Sequence, residues 1–235
     1  MSKDRFGYDQ EEVDSTMISR WLNSTIPALG ISAGQVALAL GIQGDTKGSK
    51  NQALLKELKK IAPKGVKIST LNTSKNPIAP LINPLAGSHY NPRTNSVVMA
   101  QRGNNPNAGV LAHELGHAQQ FKNPSSLLNK GAKYSRLANM FGLTTAPLWI
   151  AEDESTAKKW AGIGTALSAP NFIHEMDASW KGRKMLLEAA SKSGNKLGLL
   201  KSLASFKGVP SYLMALAAPM MIYKYLKSKG QYNER

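Results

Sequence analysis

From Asn51 onward the chain alternates short apolar patterns with polar breaks, and their periods separate helix from strand. Leu54, Leu55, Leu58 and Ile61 recur at helical spacing with lysines on the other face, which predicts a helix over Asn51 to Ile61 stopped by Pro63 and Gly65. Val66 to Thr70 reads as a strand, and Asn72 to Leu85, with three prolines, as a loop. His89 to Ala100 reads as a hairpin: Asn91 to Asn95 supplies the turn and Ser96 to Ala100 a β-branched second strand. After a Gly/Asn-rich loop, Gly109 opens a helix whose Val110, Leu111 and Leu115 give it a face to bury. Two apolar stretches follow, Leu137 to Ile150 and Ala161 to Ile173, flanking the charged Glu152 to Lys159. They predict a helical hairpin, either packed in the protein or inserted shallowly in a membrane. Met176 to Ala190 then reads as a separate amphipathic helix. Val209 to Tyr223 is the strongest membrane candidate, with Tyr212, Tyr223 and Tyr225 near its ends and lysines just beyond, although Pro219 interrupts it.

The first residues follow a different pattern. Met1 to Asp14 is polar and acidic and lacks the apolar core of a secretory signal. Ser15 to Leu22 suits a short helix. Ile26 to Ile42 runs without a charge, and Ser32 can cap a short buried or interfacial helix over Ala33 to Leu40. Gly44 to Lys50 reads as a linker. The expected organisation is therefore an N-terminal segment over residues 1–50, an α+β, mostly α, domain over 51–190 with the apolar hairpin 137–173 inserted, and a basic segment over 191–235 carrying an apolar helix at 209–226.

Composition narrows the chemistry. There is no cysteine among the 235 residues, so disulfides, thiolate zinc fingers and cysteine catalysis are excluded, and a metal must be held by His, Asp or Glu. Lys and Arg number 30 against 15 Asp and Glu, a formal charge of +15 that favours an anionic neighbour. Eleven of the cations lie between Lys181 and Arg235, against Glu188 and Glu234. A solvated basic face and an anionic membrane surface both fit. Nucleic acid fits less well, because aromatic residues are not interleaved with these lysines.

Within Leu111 to Gln120, His113 and His117 stand four residues apart, so on a helix both imidazoles leave one face and can hold one ion. Glu114 beside them can take a proton from a metal-bound water. The pattern suits Zn²⁺ and is the apparatus of a zinc peptidase. Gly116 would let another backbone come close to that face. A third ligand must come from elsewhere, and downstream the two groups close together that look like ligands are His174 and Glu175. A carboxylate from a second helix leaves the fourth position for water, which favours Glu175; His174 stays an alternative.

Three blocks now stand in order: His89 to Val98, His113 to Gln120, and Glu175-Met176-Asp177-Ala178-Ser179. Together they resemble the signature blocks of the membrane-associated neutral zinc metallopeptidases of bacteria, over roughly Asn51 to Tyr225. The resemblance implies a zincin-like fold, with the hairpin beside the His-Glu-x-x-His helix, and Glu175 as the third zinc ligand. It implies hydrolysis of a peptide or protein substrate, with Glu114 as general base, at a membrane surface or in the cytoplasm. The chain departs from that family in its polar start and its short, broken apolar helices.

Other residues carry two readings each. Asp177 can orient a ligand histidine or simply sit at the surface. His89 and Tyr90 can stabilise an oxyanion or pack the turn, and Ser96 to Ala100 can act as an edge strand for an extended substrate. Two rival functions remain beside the peptidase: a catalytically silent zincin-like protein of a larger assembly such as a virion, and a small nucleic-acid-binding module with an incidental His-Glu-x-x-His string.

Overall fold

The computed structural model describes residues 48–72, 88–101, 107–123, 125–197, 203–206 and 209–232. The expectations for Met1 to Ile42 and most of the loop Asn72 to Leu85 lie outside these residues. Among the described residues six helices and three strands follow in order: α1 (Ser49–Ile61), β1 (Lys67–Asn72), β2 (His89–Asn91), β3 (Ser96–Gln101), α2 (Ala108–Gln120), α3 (Leu127–Met140), α4 (Ala146–Ile150), α5 (Glu154–Lys192) and α6 (Val209–Ser228). A 3-10 turn, Leu203–Phe206, precedes α6. The architecture is mostly helical with one small sheet.

The hairpin forms where the turn residues place it. Asn95 takes a left-handed conformation (φ 47°), and the Tyr90 hydroxyl donates to its Oδ1 at 2.9 Å. β2 pairs antiparallel with β3, while β1 pairs parallel with β3 on its other side, giving the order β1-β3-β2. β3 is therefore the central strand. The expected edge strand at Ser96 to Ala100 is corrected: both its sides are already hydrogen-bonded, and the edges of the three-stranded sheet are β1 and β2. Val97 and Met99 of β3 enter the main core with Leu54, Leu55 and Leu58 of α1, Leu111 and Leu115 of α2, and Met185 and Leu186 of α5.

Helix α5 dominates the rest. It runs 39 residues without a break, so the stretches expected as one arm of a hairpin and a separate amphipathic helix are a single element. Its buried positions Ala157, Ala161, Gly164, Ser168, Asn171, Glu175, Ala178, Gly182, Met185 and Ala189 alternate in steps of four and three. That is an unbroken seam of one helix face, made mainly of small residues so that other elements can approach closely. Pro170 lies beside the seam and costs the helix one backbone hydrogen bond. Its ring instead lies against Gly131 of α3, where an added Cβ would come within 3.2 Å. Asp153 starts the helix by accepting from the Thr156 N–H at 2.8 Å.

A second core lies toward the N-terminal half of α5, where Ala157 and Ala161 meet Leu148 of α4, Ile222, Tyr223 and Leu226 of α6, and Tyr232. The apolar helix expected at 209–226 thus exists, and one face of it is spent on this core. No helix among the described residues is long and apolar enough to cross a membrane.

Candidate metal centre

Helix α2 begins at Asn107, whose side chain accepts from the Gly109 and Val110 N–H groups, and it is buried on nearly every side. It crosses the α5 seam through glycines. A Cβ on Gly116 would fall 2.0 Å from the Ala178 carbonyl oxygen, and one on Gly182 would fall 2.5 Å from the Ala112 carbonyl oxygen. This contact sets His113 and His117 of α2 against Glu175 of α5.

His113 Nε2 lies 3.2 Å and His117 Nε2 3.1 Å from the same oxygen, Glu175 Oε2. The three donor atoms lie within 4.8 Å of one another, and all three side chains are nearly enclosed. Their outer atoms are fixed by further residues. Gln120 donates its amide to the His174 carbonyl at 2.7 Å and to Asp177 Oδ2 at 2.8 Å. Both are pure acceptors, so the amide can only point its Oε1 at His117 Nδ1, 2.8 Å away, and Nδ1 must carry the proton. Ser179 donates to the Glu175 carbonyl at 2.8 Å, which leaves its oxygen to accept from His113 Nδ1 at 3.0 Å. In their neutral forms both histidines therefore turn a bare Nε2 lone pair toward a carboxylate oxygen. Three lone-pair donors aimed at one point repel one another unless a cation lies between them. Two imidazoles and one carboxylate are a donor set that fits Zn²⁺.

Glu175 is also held from behind. Arg136 of α3 donates from Nη2 to Glu175 Oε1 at 2.8 Å, and from Nε to Asn171 Oδ1 at 2.9 Å. The Tyr212 hydroxyl of α6 hydrogen-bonds the same carboxylate. Burial raises the Glu175 pKa, but the positive charge that the two histidines bring when their Nε2 atoms are protonated outweighs it and holds the group far below the usual carboxylate range; a cation lying between neutral histidines and the carboxylate would act in the same direction. Burial and the nearby Glu175 charge push the Tyr212 phenol well above its usual value.

His174 does not join the cluster. Its Nε2 donates to Asn129 Oδ1 at 3.0 Å, its Nδ1 faces Arg136 Nη2 at 3.3 Å, and its ring stacks on His117 with centroids 5.0 Å apart. Burial lowers its pKa, consistent with a neutral imidazole serving as packing. Between the two candidates for a third donor, the geometry selects Glu175. Asp177 reaches His117 only through Gln120, and an ion pair with Lys181 also engages it.

Glu114 lies next to the cluster, buried, with its pKa raised to about 7. Burial is the main cause; His113 opposes it, the Glu175 charge adds to it, and the backbone N–H of Tyr90 donates to the carboxyl. The Tyr90 hydroxyl donates to Asn95 Oδ1, and its ring lies against Phe121 with centroids 5.7 Å apart. So Tyr90 serves Glu114 through its backbone, and its phenol packs the turn. His89 is not part of the metal-capable cluster.

Arg136, Asn129 and Tyr212 are functional-site neighbours that the sequence reading passed over. Asn129 and Arg136 are seven residues apart, hence on one side of α3, a spacing that could have marked that side as facing a polar site. Tyr212 stood in the chain as the end of an apolar helix, and nothing local distinguishes it from an interfacial tyrosine. No protein-family model matches the chain, and no curated protein or solved structure matches it either. What is shown is a buried His113-His117-Glu175 cluster that can bind a metal ion.

Proposed function

We propose that the chain is a zinc-dependent metallopeptidase of zincin-like build, in which His113, His117 and Glu175 hold the ion and Glu114 is the general base. The observation that carries this reading is the convergence of two Nε2 lone pairs on Glu175 Oε2, with each Nδ1 proton committed elsewhere. The three sequence blocks support it, and so does a carboxyl beside the cluster. A Zn²⁺ ion held by these residues would supply a Lewis acid and lower the pKa of a water ligand toward ~7. Glu114, a buried carboxyl beside the cluster, would take the proton of the attacking water and pass it to the departing amine. Arg136 engages Glu175 Oε1, which leaves Oε2, the oxygen nearest both histidines, as the one that would face an ion. β2, at the sheet edge, is the strand an extended substrate would meet.

The near-complete enclosure of the cluster favours a second reading, a closed structural zinc site in a catalytically silent protein, since catalytic sites keep a position open. One experiment separates the two. Zinc content and cleavage of a broad peptide library are measured for wild type and Glu114→Gln. The peptidase reading expects stoichiometric zinc in both and cleavage by wild type alone. Zinc in both with neither active leaves the structural reading, and no zinc, with no loss of stability on chelation, overturns both.

A further inference from the structure

We propose that the turn joining α3 to α4 is a membrane-docking tip that seats Met140, Phe141, Leu143 and Ile150 in the interfacial layer of an anionic bilayer. This inference is independent of the metallopeptidase reading.

The tip is an uncharged stretch in a strongly cationic chain. Leu137 to Ala151 contains no Asp, Glu, Lys or Arg. Its outward side chains are mostly in solvent: Met140 is 68%, Phe141 66%, Leu143 56% and Ile150 69% exposed. Clustered exposure of this kind marks an interaction site. The backbone beneath is fixed, so the prongs cannot fold away. Gly142 takes φ +68° and donates to the Asn139 carbonyl, while the Leu143 N–H reaches back to the Ala138 carbonyl at 2.9 Å, closing the end of α3. On the inner side Leu148 is fully buried in the second core, and the Tyr232 hydroxyl donates to its carbonyl at 3.0 Å.

Two further observations favour lipid over a folded partner. Between Met140 and Ile150 the only side-chain hydroxyls are Thr144, which is buried, and Thr145. The tip therefore offers apolar area with little to fix a partner's register. Exposed cations stand close in sequence on both sides, Lys130 and Lys133 on α3 and Lys158 and Lys159 on α5, within a chain of net charge +15. Of the acidic residues beside the tip, Asp153 caps α5 and Glu154 is paired with Lys227 and the Tyr223 hydroxyl, while Glu152 is exposed. Apolar prongs on a segment flanked in sequence by four exposed lysines, against the exposed Glu152, complement an interface of acyl chains and anionic headgroups.

The test is flotation of the full chain with phosphatidylcholine vesicles and with phosphatidylcholine–phosphatidylglycerol vesicles. Wild type is expected to float with the anionic vesicles. Phe141→Glu combined with Leu143→Glu should weaken binding by about tenfold or more, and Lys130→Glu combined with Lys133→Glu should weaken it on anionic vesicles alone. Zinc content and melting temperature of both variants report whether the fold is intact. Bromolipid quenching of Trp149, read as wild type minus Trp149→Phe, tests the same contact without altering the prongs. Failure of wild type to float, equal flotation of the tip variant, or absent quenching each overturns the proposal. A wild-type dimer that the tip substitutions dissociate, with no vesicle binding, overturns it in favour of a second copy of the chain as occupant.

Discussion

The Cβ that Gly116 lacks would lie 2.0 Å from the Ala178 carbonyl oxygen, so the crossing of α2 over α5 is set by the absence of a single carbon. Gly116 sits between the two histidines in sequence, and Ala178 lies one turn beyond Glu175. The contact that brings the helices together is thus the contact that brings the donors together.

Replacing Gly116 with Ala should therefore separate two effects of opposite sign. Helix propensity favours Ala by about 1 kcal/mol. The overlap is with backbone, which cannot rotate away, and forcing helices apart in a packed core costs about 1–3 kcal/mol or more. Gly116→Ala is expected to lower the melting temperature and to reduce zinc stoichiometry together. A variant as stable as wild type, with full zinc, would show that the crossing can widen freely.

Gln120 offers a cleaner probe of the metal centre, because it touches no ligand atom that would face the ion. Gln120→Leu preserves volume but leaves His117 Nδ1, the His174 carbonyl and Asp177 without their amide partner. The imidazole loses what fixes its tautomer, and losses of this type lower metal affinity by about 10- to 100-fold. Competition titration with a zinc chelator measures it. Affinity equal to wild type would mean that helix geometry alone orients His117.

How far the chain announced this arrangement differs from element to element. The α1 helix and the β2–β3 hairpin were legible because their periods are local and their stops, Pro63 with Gly65 and the Asn91 to Asn95 turn, are chemically specific. His113 and His117 were legible because their four-residue spacing puts both imidazoles on one helix face, and Glu175 because it stands beside His174 in the downstream Glu-Met-Asp-Ala-Ser block. Continuity of α5 was obscured by Pro170, read as a break, although the four-and-three spacing of small residues runs through it. The roles of Arg136 and Tyr212 depend on where α3 and α6 land on α5, which is decided by long-range packing at Gly131 and Gly164. Neither glycine has a local pattern that reveals its partner.

The pKa of Glu114 predicts a stability signature in the zinc-free protein. Folding raises it from 4.5 to about 7, so burial favours the protonated carboxyl. Its contribution is intact below the unfolded value and is lost as pH rises through about 7. Glu114→Gln cannot ionise and escapes that loss. Relative to wild type it should gain stability between pH 4.5 and 7, reaching about 3 kcal/mol at higher pH. Chelated samples melted across this range test it; parallel curves for the two proteins would refute the buried, strained carboxylate.

Glu154 predicts the opposite sign at the other end of α5. Its Oε1 accepts from Lys227 Nζ at 2.6 Å and from the Tyr223 hydroxyl at 2.8 Å, tying the start of α5 to the last turns of α6. The hydrogen bond from Lys227 is the main cause of a lowered carboxyl pKa, with that from Tyr223 next. A depressed folded pKa contributes stability that is present above the usual glutamate value and disappears as pH falls through the folded one. Glu154→Gln keeps the shape but loses the charge, so it should melt below wild type near neutral pH and approach it as the solution is acidified. Because the carboxylate is solvent-facing, salt should narrow the gap at neutral pH as well. Hydrogen exchange of α6 amides resolves where the effect acts: faster exchange over Ile222 to Leu226 in the variant is expected, since those residues form the second core with Ala157 and Ala161. Unchanged α6 exchange, with the same melting temperature at every pH, would mean that apolar packing alone docks α6 and that the Glu154 bonds are incidental.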